Sequence, residues 1–238
     1  MAQAYLVVRD ARVLWAGRAH DRLPPASLAK MMTALLALEQ GAPEAVVTVG
    51  RGAAQAGGAR LGLKAGERLR AGDLLAATVV RSANDACRAL AEHLAGTRER
   101  FVARMNARAA ELGLDDTRFA DPCGHDRPEQ YASAADLARL AGALIARPEY
   151  LALARRARMT IETVDGARRF VFHNTNALIG RYPGALGLKS GYTEAAGNCL
   201  VALAERDGVR VLVVLLNAPD RWWSAVGLLD RAFEARGP

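Results

Sequence analysis

The sequence predicts an α+β protein of two lobes. Both ends of the chain form one antiparallel β-sheet flanked by helices, and the middle forms an all-helical lobe. Apolar segments of strand length occur at residues 5–8 and 12–15 and again over residues 185–216. Apolar residues at helical spacing occupy most of residues 28–145. The first strands can pair with the last only if the chain closes on itself, which places one sheet beside a helical lobe.

Length and composition suit a single domain. The chain has 238 residues, of which 51% are hydrophobic and 24% are charged. We expect a sheet lobe from about residues 1–26 and 155–238 and a helical lobe from about residues 27–154. No apolar run reaches the roughly 20 residues that cross a bilayer, and no secretory signal opens the chain. We therefore expect no membrane span in this chain.

In the first half, turn and cap signals set the boundaries of the elements. Residues 5–8 and 12–15 predict a hairpin that turns at Asp10. A helix begins at Pro24-Pro25 and ends at Gly41. The Gly- and Ala-rich segment that follows predicts a loop with short strands. The further predictions are short strands and loop over 46–66, helices over 71–80, 85–94 and 99–112, and a long loop over 117–130.

The second half begins with one more helix and then changes to strands. Ser133, with Asp136 three residues later, predicts a capped helix that runs to residue 145. Asp165-Gly166 is a typical hairpin turn. The remaining predicted elements are strands over 159–164, 168–172, 185–192, 198–204 and 209–216 and a helix over 222–233.

Lysine and serine are scarce, and their positions coincide. The net charge is +7, yet the chain has only three lysines, Lys30, Lys64 and Lys189, among many arginines. An amine can give up its proton at neutral pH, whereas guanidinium cannot. Two of these lysines lie within three residues of a serine, in Ser27-x-x-Lys30 and Lys189-Ser190. This coincidence indicates proton-transfer chemistry.

The first motif can activate a nucleophile. On a helix, residues three apart share a face, so the Ser27 hydroxyl and the Lys30 amine meet. A serine hydroxyl is a poor nucleophile until a neighbouring base takes its proton, and a lysine of lowered pKa can be that base. Alone, the spacing is common, and an N-cap serine followed by a solvated lysine explains it equally well.

Two further motifs supply groups that suit a peptide substrate. Ser82-Ala83-Asn84 falls between two predicted helices, where it can cap the next helix or face a cleft. Lys189-Ser190-Gly191 lies on a predicted strand, where the glycine permits close approach of a substrate backbone. The ammonium of the lysine can attract a carboxylate and keep a neighbouring amine neutral.

Together the motifs match, in order and spacing, the S-x-x-K, S-D-N and K-T-G set of penicillin-recognising serine enzymes. The chain resembles the low-molecular-mass penicillin-binding proteins that are D-Ala-D-Ala carboxypeptidases. Ser190 stands where threonine is commoner in that family, and Ala83 replaces a usual glycine. The resemblance is carried by residues 24–33, 82–87, 90–93, 174–178, 187–193 and 196–197.

The resemblance implies a penicillin-recognising, β-lactamase-like fold and three catalytic residues. Ser27 would attack the carbonyl between two D-alanines, with Lys30 as base. Ser82 would pass a proton to the departing D-alanine. The backbone N–H groups of Ser27 and Tyr192 would hold the oxyanion.

It also implies a set of substrate-binding residues. Asn84 would bind a substrate peptide bond, and Gly191 would let the substrate lie against the strand. Lys189, Ser190 and Arg221 would receive the terminal carboxylate, for which a guanidinium fork is well shaped. A solvated position at the start of the closing helix explains Arg221 as well.

The implied partners are a peptidoglycan peptide that ends in D-Ala-D-Ala and β-lactam antibiotics, and the implied location is the periplasm or cell envelope after export. Members of the family typically add a C-terminal β-rich domain and an amphipathic anchor. The chain stops at Pro238, directly after the predicted closing helix, so we expect neither of them.

Cysteines and histidines predict no cofactor. An odd count of three cysteines leaves at least one unpaired and implies no disulfide framework. Cys87 and Cys199 lie in apolar stretches, and we expect both to be small core residues. Cys123-Gly-His125 lacks a second pair at ligand spacing, so we expect no metal site. We expect the four histidines to lie on the surface or to be hydrogen-bonded in the core.

Three alternatives remain open. A class A β-lactamase would carry an E-x-x-L-N pattern on the loop that faces the serine, and residues 121–133 offer only Glu129. A catalytically idle β-lactam or peptidoglycan-binding module would not need all three motifs. The hypothesis of a nucleic-acid-binding protein rests on net charge alone, because the sequence has no tight basic run interleaved with aromatic residues. We expect no nucleic-acid partner.

Overall fold

The computed structural model describes residues 2–235, and the elements follow the predicted order. The strands of these residues are β1 (Ala4–Arg9), β2 (Arg12–Gly17), β3 (Val46–Thr48), β4 (Arg68–Arg70), β5 (Arg158–Glu162), β6 (Arg169–His173), β7 (Ala185–Thr193), β8 (Gly197–Arg206) and β9 (Val209–Leu216). The α-helices over the same residues are α1 (Lys30–Gln40), α2 (Arg51–Ala54), α3 (Ala71–Ala76), α4 (Asn84–Ala95), α5 (Arg98–Glu111), α6 (Ala134–Ile145), α7 (Pro148–Ala154) and α8 (Arg221–Glu234).

Both chain ends meet in one five-stranded antiparallel sheet, with strand order β2-β1-β9-β8-β7. The N-terminal strand β1 pairs with the late strand β9, and Val7 lies opposite Val213 in the register. The predicted closure of the chain on itself is thereby confirmed. The order leaves β7 at one edge of the sheet. The third motif therefore lies on an edge strand, which can accept a substrate on its open side.

The sheet is buried on both faces, because β9 has apolar residues at every position from Val211 to Leu216. Val211, Val213 and Leu215 pack with α8 in one core, and the alternate residues pack with the helical side of the molecule in the other. The period of two along a strand explains how one apolar run serves both cores.

The helices of the chain's middle surround α1. Met31, Met32 and Leu35 of this helix are at most 1% exposed. The lobe predicted as all-helical is in fact mixed, since β3 and β4 form a two-stranded ribbon within it. The ends of the predicted single domain, residue 1 and residues 236–238, lie outside the described residues. Among residues 2–235, no helix combines the length and apolarity that a membrane crossing requires.

Helix details differ from the predictions at four places. The short helix α2 lies in the segment predicted as loop with short strands. The expected helix start at Pro24-Pro25 is a 3₁₀ turn over Ala26–Ala29, and α1 begins only at Lys30. The predicted helix over 71–80 widens after α3 into a π-helical segment, Ala77–Arg81. The helix α7 was not predicted, although Pro148 occupies the first helical turn, where its missing N–H costs nothing.

The expectation for Cys87 is wrong. Cys87 forms a disulfide with Cys123, 36 residues away in the chain. Cys199 is the free cysteine and is buried, as predicted. An odd count states only that one cysteine is left over, and it does not say which two lie close together in the fold. The disulfide fastens the loop at Cys123 to α4 directly behind the second motif.

Candidate active site

The segment that carries Ser27, the predicted nucleophile, is a strained turn. Ala26, immediately before Ser27, has φ of 49°, a left-handed conformation that costs a non-glycine residue about 1–2 kcal/mol. The 3₁₀ turn leaves Ser27 half-buried, while Leu28 and Ala29 are fully buried. The turn therefore presents the Ser27 side chain at the surface of the core, as an accessible nucleophile requires.

The Lys30 amine is buried against the Ser27 hydroxyl. Lys30 is 1% exposed, and its Nζ lies 2.9 Å from Ser27 Oγ. It also donates to Asn84 Oδ1 at 2.7 Å and to the carbonyl of Cys123. Burial lowers the pKa of Lys30 to about 7, against the opposing effect of the charge on Asp121. A large fraction of this amine is therefore neutral near pH 7 and can accept a proton.

A second lysine–serine pair lies in the same core. Ser82 has φ of 61°, and its hydroxyl accepts a hydrogen bond from Lys189 Nζ at 2.8 Å. Lys189 also donates to the Ser190 carbonyl at 2.8 Å. Burial, followed by repulsion from Lys30 and Arg221, lowers the pKa of Lys189. Ser82 is thus paired with Lys189, and the proton transfer to a departing D-alanine that was predicted for it stays a prediction.

Strand β7 approaches Ser27 closely at Gly191. A Cβ atom at this position would lie 2.9 Å from Ser27 N and 3.0 Å from Ala26 Cβ. Only glycine allows the strand to come so near. The next residue, Tyr192, has a side chain that is 61% exposed, and the role predicted for it concerns its backbone N–H.

The remaining predicted substrate-binding groups have protein partners. The Ser190 hydroxyl is 3.1 Å from Thr175 Oγ1, a contact that no sequence pattern indicated. The Asn84 amide donates to Gly57 O at 2.6 Å while its oxygen receives the Lys30 amine. Its predicted contact with a substrate peptide bond stays a prediction.

Arg221 reaches the site from the first residue of α8. Its Nη1 donates to the Gly191 carbonyl at 2.6 Å. Its Nε is buried and has no hydrogen-bond partner among the described residues. Burial lowers the pKa of Arg221. A buried donor without a partner is rare in folded proteins, and an anion bound beside it would satisfy it.

His125 also belongs to the site, although the sequence analysis expected a scattered surface or core residue. Its Nδ1 lies 3.0 Å from Asp121 Oδ1, and its Nε2 lies 3.2 Å from Asn84 Nδ2. Burial acts to raise the pKa of Asp121, but hydrogen bonds from His125 and from the backbone outweigh it and lower that pKa to about 2. The spacing Asp121-x-x-x-His125 was the available signal.

Within residues 2–235, no cluster of three or more His, Cys, Asp or Glu side chains could hold a metal ion. A polar cavity of about 570 Å³ adjoins the site at Thr175, the partner of Ser190. Its lining includes Arg60, Arg81 and Arg169, and none of these has a carboxylate within 4.0 Å in the described part of the chain. A cavity with three arginines in its lining therefore lies next to the site.

Comparison with known proteins gives one consistent result. Residues 1–220 match the D-alanyl-D-alanine carboxypeptidase family. The chain is 36% identical to D-alanyl-D-alanine carboxypeptidase DacF of Bacillus subtilis, over 97% of this chain and 61% of the relative. It is 34% identical to DacB2 of Mycobacterium tuberculosis, over 98% of this chain and 82% of that relative.

Solved structures agree with this result. A D-alanyl-D-alanine carboxypeptidase from M. tuberculosis superposes with a TM-score of 0.92 at 31% identity, covering 99% of this chain and 92% of that one. A DD-transpeptidase from Streptomyces has a TM-score of 0.92 at 26% identity, covering 98% and 97%. The predicted α+β, penicillin-recognising fold is confirmed.

The chain spans 55 to 61% of the length of the first curated relatives that it matches. The match nevertheless includes all three motifs and nearly every element of the fold, from β1 to β9. The chain belongs to the D-alanyl-D-alanine carboxypeptidase family.

Proposed function

We propose that this chain is a serine-type D-Ala-D-Ala carboxypeptidase that cleaves peptidoglycan stem peptides through an acyl-enzyme on Ser27. The observation that supports it most strongly is the buried Lys30 amine, which lies 2.9 Å from Ser27 Oγ and has its pKa lowered to about 7. A general base works best when its pKa lies near the working pH. Lys30 meets that condition, and no other base donates to or accepts from Ser27 Oγ in the described residues.

Acylation follows from this pair. Ser27 Oγ attacks the carbonyl carbon of the penultimate D-alanine while Lys30 Nζ takes its proton. The oxyanion lies between the backbone N–H groups of Ser27 and Tyr192, donors worth roughly 3–4 kcal/mol each. The Ser82 hydroxyl gives its proton to the departing nitrogen and receives in turn the proton that Lys30 took from Ser27, so Lys30 is neutral again when the ester has formed. The C–N bond breaks, D-alanine leaves, and an ester remains on Ser27.

Deacylation restores the enzyme. A water molecule attacks the ester carbonyl, its proton passes to Lys30, and the C–O bond to Ser27 breaks with return of a proton to Oγ. The product is a stem peptide shortened by one residue. With a β-lactam, the ring amide takes the place of the peptide bond, and the leaving nitrogen stays attached to the acyl group.

Two cations recognise the terminal carboxylate. Arg221 has a buried Nε with no partner in the described residues, and Lys189 has its pKa lowered by burial and by neighbouring positive charge. A bound carboxylate pairs with the Arg221 guanidinium. Its negative charge also raises the pKa of Lys189, so the amine of Lys189 becomes protonated. Ser190 turns its hydroxyl from Thr175 to the same anion, and Asn84 and Gly191 border the peptide.

A substrate of this kind lies outside the cytoplasm, so the proposal places the enzyme in the periplasm or cell envelope after export. The test is incubation with a pentapeptide that ends in D-Ala-D-Ala, with assay of free D-alanine, alongside an assay of penicillin hydrolysis. Release of D-alanine with little drug hydrolysis supports the carboxypeptidase. The reverse result supports a β-lactamase, and neither activity supports an idle binding module.

A further inference from the structure

A chain of side chains connects a buried carboxylate to the proposed base. Asp121 Oδ1 lies 3.0 Å from His125 Nδ1, and His125 Nε2 lies 3.2 Å from Asn84 Nδ2. Asn84 Oδ1 then receives Lys30 Nζ at 2.7 Å. His125 is separated from Lys30 by one amide group only.

One arrangement of protons satisfies the contacts of 3.2 Å or less in this chain and leaves unpaired only the longer approach of His125 Nε2 to Gly57 O at 3.4 Å. Asp121, with a pKa of about 2, is a carboxylate at neutral pH and can only accept, so His125 Nδ1 must carry a hydrogen. Asn84 Nδ2 has two hydrogens, and one of them goes to Gly57 O at 2.6 Å. The second can reach His125 Nε2 only if that nitrogen keeps its lone pair. His125 is therefore the neutral tautomer protonated at Nδ1.

This tautomer and the Gly57 carbonyl together fix which way the Asn84 amide faces. A neutral lysine amine can donate or accept, so the catalytically active form of Lys30 does not by itself select the oxygen of Asn84 over its nitrogen. The acceptors at His125 Nε2 and Gly57 O both select the nitrogen and leave Oδ1 for Lys30. The lysine is then held by Oδ1 in the direction of Ser27.

The segment that carries His125 is held from three sides. The disulfide of Cys123 fastens it to α4, and Asp126 accepts a hydrogen bond from Thr193 Oγ1 of β7 at 2.7 Å. At Gly124, φ is 85° and a Cβ would lie 1.9 Å from Ala26 O, so the segment presses on the nucleophile turn. The imidazole thus has a defined position although its side chain is 38% exposed.

We infer that His125 is a positioning residue for acylation, which holds the Asn84 amide so that Lys30 Nζ is aligned with Ser27 Oγ. It touches neither the substrate nor the reacting atoms. A change at His125 should therefore alter the rate constant of acylation and leave the affinity for the acylating compound unchanged. The inference rests on the proposed function, since it assumes that Lys30 is the base.

The test compares His125→Leu with His125→Gln in the full chain. Acylation by a fluorescent penicillin yields the rate constant at saturating drug and the dissociation constant of the preceding complex. In the leucine variant we expect the rate constant to fall about tenfold, which corresponds to about 1.4 kcal/mol and is within the range for one hydrogen bond, with the dissociation constant changed less than about twofold. The glutamine variant keeps an acceptor for Asn84, and its rate stays within about threefold of wild type.

A second His–Asp pair supplies the matched control. His20 Nδ1 lies 3.1 Å from Asp116 Oδ2, and among the described residues this pair contacts none of the motif residues. His20→Leu should acylate like the wild type. Equal losses in His125→Leu and His125→Gln, or a matching loss in affinity, would mean that the histidine only supports the loop, and the inference would be overturned.

The tautomer of His125 can be measured in the wild-type protein, where no substitution can alter folding. Nitrogen-15 NMR of the imidazole groups, assigned with His125→Gln, should give a protonated Nδ1 and an unprotonated Nε2 at pH 8. A protonated Nε2 would contradict the inference. A wild-type chain that forms no penicillin adduct would defeat the proposed function itself, whereas an adduct formed equally fast by His125→Leu would defeat only the role of His125.

Discussion

Lys30 and Lys189 each bury an amine beside a different serine hydroxyl, at 2.9 Å from Ser27 Oγ and 2.8 Å from Ser82 Oγ. Both lysines are 1% exposed. Burial lowers the pKa of both amines, and repulsion from Lys30 and Arg221 lowers that of Lys189 further. The arrangement favours a neutral Lys30, and under the proposed function a substrate carboxylate would restore the charge of Lys189.

Replacement of Lys30 by arginine tests proton transfer separately from charge. Lys30→Arg keeps a cation but cannot be deprotonated, so we expect penicillin acylation to fall by about 10²–10⁴-fold. Lys64 is exposed, and Lys64→Arg is the matched control that should acylate normally. Stopped-flow measurement of acylation checks both variants. A Lys30→Arg enzyme with near-normal rates would remove the lysine from proton transfer.

The pH dependence of acylation follows from the lowered pKa of Lys30. The neutral amine is the active form, so the rate should be low in acid, rise about tenfold per pH unit below pH 7 and level off above it. The measurement is the acylation rate between pH 5.5 and 8.5 under conditions where the fold is intact. A flat profile, or a rate that falls as pH rises through 7, would disagree with a base of this pKa.

Gly191 tests the approach of β7 to the nucleophile. In Gly191→Ala the new Cβ would lie 2.9 Å from Ser27 N, so the strand has to shift. A misplacement of about 1 Å costs about 100-fold in the acylation rate. Gly142 in α6 has no atom within 4 Å of its would-be Cβ, so Gly142→Ala should keep its activity and gain up to about 1 kcal/mol in unfolding free energy. Normal acylation by Gly191→Ala would show that this contact does not constrain the site.

The disulfide should contribute to stability. Closure of the loop between Cys87 and Cys123, which are 36 positions apart in the sequence, is expected to raise the free energy of unfolding by about 4 kcal/mol. Denaturant unfolding with and without reductant measures it, and the Cys87→Ala/Cys123→Ala double variant should lose the dependence on reductant. Cys199→Ala should keep it. Equal stability of the wild type in both conditions would contradict this prediction.

Sequence patterns predicted the sheet and the main helices because their signals are local. The apolar run of β9 and the cap at Ser133 each depend on neighbouring residues only, and both occur as predicted. The three motifs also come together, with Lys30 at hydrogen-bond distance from Ser27 and Lys189 from Ser82. Scarcity of lysine and serine made these positions recognisable in a single sequence.

The missed features depend on contacts between distant parts of the chain. The Cys87–Cys123 pair and the approach of His125 to Asn84 depend on how the loop after α5 folds back on α4. The π-helical segment that ends at Arg81 is a departure from helical geometry that apolar spacing does not encode. No residue pattern of length three or four reports such long-range placement.

The most direct measurement is mass spectrometry of the intact chain after incubation with penicillin, followed by peptide mapping. The account predicts one added drug mass, located on Ser27, and no adduct on Ser27→Ala under the same conditions. An adduct on another residue, or an unchanged adduct on Ser27→Ala, would contradict the assignment of Ser27 as the nucleophile.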